Sequence, residues 1–399
     1  MKFSELSLTS DLQRSLADMG YDEMTPIQES AIPHILEGKD LIGLAETGSG
    51  KTSACAVPLV QMVDPKLSEL QALILVPTRE LAQQYVSEIA KVSQHTDVAP
   101  FAMFGGFDMD IQRAKLKDGV HILVATPGRL IDYVWNNPLP LNHIKTVVLD
   151  EADEMMKMGF IENVDFIFSC MMQDHQTLLF SATMPKEVKR LAEAYQTDPV
   201  QIELNRDQVA PQSLRHCFKV IREDDRLKAL TTYLRQEKIR QAILFCNSRS
   251  GSSRLLRDLR GAFDSVEIIH GGLEQPQRTS IFNRFRSLDI KLLVATDVAA
   301  RGLDFDHVSH VINYDYPHTE ETYTHRTGRA GRMGREGVAM TFVARRDFGS
   351  LRRLQETRVE KLEWIGEAPD LSKARSRSRV RTFRGRGGRR GGRSRPRKS

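Results

Sequence analysis

The sequence predicts an α/β protein with two parallel-sheet domains in tandem and a disordered basic C-terminal tail, and three observations predict it. Short apolar runs of strand length alternate with helical stretches, the pattern of right-handed crossovers and a parallel sheet. The alternation halts at a polar segment, Asn205 to Pro211, and then begins again. From Ser372 to Ser399 the chain holds eleven Arg and two Lys with no acid, first as Arg-Ser repeats and then as Arg-Gly-rich sequence. Such a stretch has too little apolar surface to offset its ordering entropy. The expected division is a first domain at 1–205, a linker at 206–211, a second domain at 212–366 and the tail at 367–399.

Composition bounds the function. At 399 residues, 40% hydrophobic and 27% charged, the chain fits a globular protein of two or three domains. No apolar run approaches the roughly 18 to 20 residues needed to cross a bilayer, and Met1 to Glu5 has no apolar signal core. Export and membrane insertion are therefore not expected. Cys55, Cys170, Cys217 and Cys246 are scattered without metal or redox spacing, which fits core thiols in a reducing cytoplasm. The net charge of +5 divides unevenly: the tail carries +13, which leaves 5 − 13 = −8 on residues 1–371. A basic arm on a mildly acidic body suits a polyanion partner.

In chain order, residues 1 to about 40 read as helical, with Leu8, Leu12 and Leu16 four apart. Gly20-Tyr21 and Thr25-Pro26 interrupt the pattern before Ile27, Ala31 and Ile35 resume it. Asp40–Leu44 is a short strand leading into Ala45-Glu46-Thr47-Gly48-Ser49-Gly50-Lys51-Thr52. This is close to a phosphate-binding loop, with Ala45 where the general form has glycine. Glycines let backbone N–H groups curl around phosphate oxygens, Lys51 can reach the β/γ-phosphates and Thr52 can offer a hydroxyl to Mg²⁺. A strand before and a helix after favour that reading over an incidental Gly-Ser loop.

Further strands are expected at Leu73–Val76, Ile122–Ala125, Val147–Leu149 and Leu178–Phe180, with an edge strand at Val200–Leu204. Each inner strand ends in a polar cluster: Pro77-Thr78-Arg79-Glu80, Thr126-Pro127-Gly128-Arg129, Asp150-Glu151-Ala152-Asp153 and Ser181-Ala182-Thr183. In a parallel sheet these clusters share the carboxyl edge, where open α/β sheets bind ligands. The acidic cluster alone is equally a solvated turn with acidic helix-start residues. With a phosphate loop in the same sheet, an aspartate there can hold Mg²⁺ and the glutamate can orient or deprotonate water.

The second half repeats the pattern, with strands at Ile243–Cys246, Val266–Ile269, Leu292–Ala295, Val311–Tyr314 and Ala339–Val343. It has no phosphate loop. It carries Thr296-Asp297, Arg301-Gly302-Leu303-Asp304 and the arginine-dense His325 to Arg332. One sheet with a loop and one with arginines imply a nucleotide between them, where arginines stabilise charge on the transferring phosphoryl group. Asp347 to Leu362 reads as a basic helix with Leu351, Leu354 and Leu362 on or near one face. Arginine's affinity for phosphates and bases makes RNA the expected partner of the tail, against a merely solubilising role.

From Phe3 to about Phe342 the motifs, as a set and in order, resemble the DEAD-box ATP-dependent RNA helicases of superfamily 2, bacterial type. The resemblance implies two RecA-like domains, ATP and Mg²⁺ as cofactors, and RNA as partner. Gly20 to Gln28, with Phe3 lying 20 − 3 = 17 residues upstream of Gly20, resembles the family's adenine-reading motif. That resemblance has Tyr21 stack on the base, where Phe is commoner, and Gln28 bond its edge. Glu46, Thr47, Gly48, Ser49, Gly50, Lys51 and Thr52 would hold the phosphates, with Asp304 on the ribose. Asp150 and Thr52 would hold Mg²⁺, Glu151 would activate water, and Arg329 and Arg332 match the arginine fingers. Asp153 would couple to Ser181 and Thr183, while His325 and Arg326 would link the domains to the ATP site.

RNA contacts implied in the same way are Pro77, Thr78, Arg79, Gly105, Gly106, Thr126, Pro127, Gly128 and Arg129. In the second domain they are Gln275, Arg278, Thr296, Arg301 and, through a loose version of the motif at Leu244–Ser248, Asn247. The implied activity is RNA-stimulated ATP hydrolysis with local unwinding of short duplexes and ribonucleoprotein remodelling, ribosomal components included, in the cytoplasm. Two rivals remain open from the residues: an ATP-gated RNA clamp or annealing chaperone dominated by the tail, and a DNA translocase of the wider superfamily.

Overall fold

The computed structural model describes residues 1–45, 48–106, 108–137, 139–171, 173–204, 214–300, 307–331, 336–357 and 362–371. The expected linker and the Arg-rich part of the tail fall outside these residues. Two seven-stranded sheets follow one another in the chain, every pairing within them parallel.

The first sheet holds β1 (Leu41–Leu44), β2 (Ala72–Leu75), β3 (Pro100–Met103), β4 (Ile122–Ala125), β5 (Thr146–Leu149), β6 (Gln176–Ser181) and β7 (Val200–Glu203). The second holds β8 (Leu214–Val220), β9 (Ala242–Cys246), β10 (Val266–Ile269), β11 (Leu292–Thr296), β12 (His310–Asn313), β13 (Gly337–Val343) and β14 (Leu362–Trp364). The orders are β3-β4-β2-β5-β6-β1-β7 and β10-β11-β9-β12-β13-β8-β14, so each strand of one lobe has a counterpart seven places on.

The inner strands are fully buried because both faces are covered, as all-parallel sheets require. Alternate residues go to opposite faces. Ile74, Val124, Val148 and Phe180 join one cluster with Leu12, Leu16, Ile27, Tyr85 and Ile89, whereas Leu73, Leu123, Val147 and Leu149 join another with Leu130, Met155, Val164 and Leu191. The second lobe divides the same way, Leu244, Val294 and Ile312 on one face and Ile243, Leu293 and Val311 on the other.

Three strands escape the sequence reading: β3, β8 and β14. The N-terminal region is a 3₁₀ turn at Phe3–Glu5 followed by helices Ser10–Asp18 and Pro26–Leu36, with the expected break at Gly20. The helix expected to run to Leu362 spans Phe348–Thr357, and Leu362 instead opens β14 beside β8. Leu351 and Leu354 do face inward, packed with Phe218 and Tyr323. No helix among the described residues is long and apolar enough to cross a membrane.

Candidate nucleotide and nucleic-acid site

The loop after β1 leads into the helix Lys51–Met62, with Gly50 as its N-cap at φ 99°. A Cβ on Gly50 would lie 2.6 Å from Thr25 Oγ1 and 2.8 Å from Gln28 Nε2, so glycine is required twice over. Thr25 Oγ1 donates to the Ser49 carbonyl at 2.8 Å and Gln28 Nε2 to the Gly50 carbonyl at 3.2 Å. Gln28 Oε1 meanwhile accepts from Thr25 N at 2.8 Å. The residues expected to read adenine are thus fastened to the phosphate loop. Tyr21 stacks on Phe3 with ring centroids 5.7 Å apart, and its hydroxyl donates to Glu88 Oε1 at 2.6 Å. Ser53 donates to the same carboxylate at 2.7 Å. Glu88 was not legible from the motifs.

Lys51 is 5% exposed and its ammonium donates to the Ala45 carbonyl at 2.7 Å. The acids after β5 are buried beside it: Asp150, Glu151, Asp153 and Glu154. Glu151 sits in the left-handed region at φ 50°, ψ 48°, as N-cap of the helix Ala152–Lys157. A non-glycine residue there costs on the order of 1–3 kcal/mol and must be over-determined by its surroundings. Burial pushes its carboxyl up to about 7; Arg329 and Lys51 pull it down, while Asp150 and Glu154 push it up. Asp153 lies between two hydroxyls, with Ser181 donating to Oδ1 at 2.9 Å and Thr183 to Oδ2 at 2.9 Å.

The second lobe reaches the same place. Arg329 and His325 line one small cavity with Lys51, Glu151, Asp153, Glu154 and Ala182. His325 Nδ1 is 3.4 Å from Glu154 Oε1, which also receives Lys157 at 2.9 Å. Arg326 corrects the sequence reading. It is 1% exposed and all its donors are used inside its own lobe, on Asp297, Asn313, Asn247 and the Asp315 carbonyl. Its guanidinium also lies 5.1 Å from the centre of the Phe245 ring. Arg326 organises the lobe rather than reaching the cavity. Asn247 belongs to the same network, its amide donating to the Tyr316 carbonyl and accepting from Arg326. Glu46, Thr47, Asp304, Arg332 and Arg301 lie outside the described residues, as does the Gln275 side chain.

The donor set suits a hard cation and a polyphosphate. The Asp150 carboxylate and the Thr52 hydroxyl are oxygen ligands of the kind Mg²⁺ takes. Glu151, Asp153 and Glu154 face Lys51, Arg329 and His325 across the cavity, and the Asp150 carboxylate is buried next to Glu151, which leaves room for added positive charge. Ser49 Oγ, in the loop itself, is buried without a hydrogen-bond partner, a place for a phosphate oxygen.

A second cluster forms at the ends of β2, β3 and β4. Thr78 caps the helix Arg79–Val92, and Arg79 lies over Gly105-Gly106, where a Cβ on Gly106 would be 2.5 Å from Nη1. Thr126 precedes the helix Pro127–Asn136, and Gln112 accepts from Arg129 at 3.4 Å. Burial lowers the Arg79 pKa; Glu80 raises it, and Arg278 and Arg129 lower it again. Three guanidiniums therefore crowd one place, an arrangement that favours an anion. Arg278 arrives from the helix Gln275–Arg286 of the second lobe and pairs with Glu80 at 2.7 Å.

The second lobe repeats this cluster with residues the motifs had not singled out. Ser248 caps the helix Arg249–Arg260, and Arg249 lies over Gly271-Gly272 after β10, its Nη2 3.1 Å from a Cβ on Gly271. A glycine pair closely following a strand was the available signal. Thr296 ends β11, the counterpart of β4.

Comparison with known proteins agrees with this layout. The DEAD/DEAH box helicase family model matches residues 25–191, and the helicase conserved C-terminal domain model matches residues 225–334. The DEAD-box ATP-dependent RNA helicase CshA of Bacillus cereus is 42% identical over 372 residues, 93% of this chain and 71% of the relative. The CshA protein of Listeria monocytogenes is 42% identical over 375 residues, 94% of this chain and 72% of its own. Among solved structures, S. cerevisiae Dbp5 bound to RNA and ADP BeF3 is similar at a TM-score of 0.83 and 29% identity, covering 91% of this chain and 95% of that one. Mss116p bound to single-stranded RNA and AMP-PNP is similar at 0.81 and 28% identity, covering 92% and 80%.

Proposed function

The chain belongs to the DEAD-box ATP-dependent RNA helicases, an ATP-hydrolysing family with two RecA-like lobes, and from that premise we propose how its own residues divide the work. The observation that carries the reading is the cavity to which the first lobe brings Lys51, Glu151 and Asp153 and the second brings His325 and Arg329. Tyr21 and Gln28 hold adenine, Asp304 holds the ribose, and residues 46–52 hold the phosphates. Lys51 turns from the Ala45 carbonyl to the β/γ-phosphates. Asp150 and Thr52 would hold Mg²⁺, which would supply charge neutralisation on the phosphates.

Glu151, its carboxyl raised to about 7 by burial, takes a proton in its ionised form as water attacks the γ-phosphorus and the bond to the ADP oxygen breaks. Arg329 and Arg332 stabilise the charge spread over the transferring group. Asp153, with Ser181, Thr183 and the neighbouring His325–Glu154 pair, makes that geometry depend on lobe closure.

RNA lies across the guanidinium cluster and its repeat in the second lobe, gripped through phosphate and sugar by Thr78, Arg79, Thr126, Arg129, Thr296, Arg301 and also Arg249. Such contacts carry no base sequence preference. ATP and RNA each favour the closed arrangement, so each raises affinity for the other. Closure bends one strand, short duplexes separate locally, and hydrolysis resets the clamp. The tail adds phosphate contacts, and ribonucleoproteins in the cytoplasm, ribosomal ones included, are the targets.

Duplex separation with ATP, with a non-hydrolysable analogue, and in Lys51→Ala tests the reading. The expected result is separation with ATP that falls away in the variant and, for repeated turnover, with the analogue. Equal separation in all three arms would make the protein a passive clamp, and equal ATPase stimulation by DNA of the same sequence would make it a DNA translocase.

A further inference from the structure

We propose that Tyr85 is a positioning residue for the reaction: its hydroxyl fixes the Asp150 carboxylate in the orientation that receives the metal-bound nucleotide. The proposal rests on the nucleotide reading above and adds to it a side chain that no motif contains. Tyr85 is completely buried in the cluster around β2 and β5. A phenol at that depth needs a partner for its O–H. The partner is Asp150 Oδ2, which accepts at 2.7 Å. The other carboxylate oxygen, Oδ1, accepts from the Glu151 backbone N–H at 2.8 Å. One bond at each oxygen fixes both the torsion and the plane of the carboxylate and leaves each oxygen a further lone pair for a ligand. Hydrogen bonds of this kind behind a ligating group set its orientation and typically carry 10- to 100-fold in metal affinity or activity.

The donor role follows from the geometry: the phenol has one O–H, and Asp150 Oδ2 at 2.7 Å is much the nearer of its two partners, Cys55 Sγ lying 3.8 Å from the same oxygen. The position along the helix matters too. Tyr85 lies six residues beyond Arg79, about 9 Å along the axis at 1.5 Å per residue. Glu88, one turn further, holds the Tyr21 hydroxyl and Ser53. One rigid helix therefore presents its first turn to the phosphate-binding cluster, its middle to Asp150 and its next turn to the adenine-reading tyrosine.

The test is an equilibrium titration of the full chain with a fluorescent ATP analogue, in Mg²⁺ and in EDTA. It compares the unaltered protein, Tyr85→Phe, and 4-fluorophenylalanine introduced at position 85. The fluorinated ring fills the hydroxyl's place without donating, and keeps the test open should Tyr85→Phe not fold. The expected result is that the gain in affinity on adding Mg²⁺ shrinks about tenfold while the affinity in EDTA stays within twofold. Lost packing alone would lower the melting temperature and move both affinities together, and that result would overturn the proposal. So would an undiminished Mg²⁺ gain in a folded variant. An unaltered protein that gains nothing from Mg²⁺ would overturn the proposal together with the reading beneath it.

Discussion

The two lobes share one strand order, yet they bury opposite charges. Among the described residues, the first lobe buries Glu80, Asp150, Glu151, Asp153 and Glu154 with Lys51 as its buried cation, and the second buries Arg226, Arg326 and Arg329. The strands where the lobes agree are β2, β3 and β4 with β9, β10 and β11. There a hydroxyl cap, an arginine and a glycine pair recur, Thr78, Arg79 and Gly105-Gly106 against Ser248, Arg249 and Gly271-Gly272. The strands where they differ are β1 and β5 with β8 and β12. There only the first lobe has a phosphate loop and a buried acidic cluster, the acids after β8, Glu223 to Asp225, being outside the core. A nucleic-acid backbone repeats along its length, so both lobes can grip it with the same device. A phosphoryl transfer has two unlike sides, and two unlike lobes meet it.

If the second lobe supplies the cations, Arg329→Ala gives the largest effect: RNA-stimulated turnover falls by about 10³ to 10⁵ with nucleotide affinity little changed. A fall below tenfold in steady-state ATPase at saturating RNA would remove the asymmetry from the chemistry. If the first lobe supplies the base, Glu151→Gln lowers turnover by about 10² to 10⁴ and keeps ATP and RNA binding.

The pH dependence sharpens this. The Glu151 carboxyl, at about 7 against an ordinary 4.5, is raised in the folded state. Its contribution to stability is therefore full below the ordinary value and lost as pH rises through about 7. Without nucleotide, Glu151→Gln should melt higher than the parent at pH 8, by up to about 3 kcal/mol, and the advantage should shrink toward pH 5. An advantage of the variant that is the same at pH 5 and pH 8 would contradict the raised carboxyl.

The buried arginines are not alike either. Arg326→Ala leaves Asp297 and Asn313 without their partner, and urea unfolding of the second lobe should show a loss of about 3–5 kcal/mol. The matched clusters give the smallest effect. Arg79→Ala and Arg249→Ala should each reduce the slope of log RNA affinity against log salt by about 0.7, the contribution of one single-strand phosphate contact. Unequal slopes would show that the repeat is structural on one side only.

Much of this division was legible in the sequence because it resides in residue types at strand ends. The phosphate loop, the acidic cluster and the arginine run each announce themselves by composition, and buried parallel strands by continuous apolar runs. Strands β3, β8 and β14 were not legible. Pro100-Phe101-Ala102-Met103 is short, proline-led and partly exposed, and Leu214–Val220 mixes Arg, His and Lys with its apolar residues. The network of Arg326 and Asn247 was not legible for another reason. Sequence shows a donor but not whether Asp297, Asn313 or Tyr316 has already taken it. Tyr85 was invisible because a tyrosine on an amphipathic helix reads as core until its hydroxyl is seen to reach Asp150.

The most direct test of two unlike lobes closing on one nucleotide is the factor by which a non-hydrolysable ATP analogue raises affinity for single-stranded RNA, read by fluorescence anisotropy. Closure through Glu80–Arg278 and His325–Glu154 predicts a factor of about 10 or more in the unaltered protein, falling toward one in Arg278→Ala. A factor of one in the unaltered protein, with RNA-stimulated ATPase intact, would contradict the account.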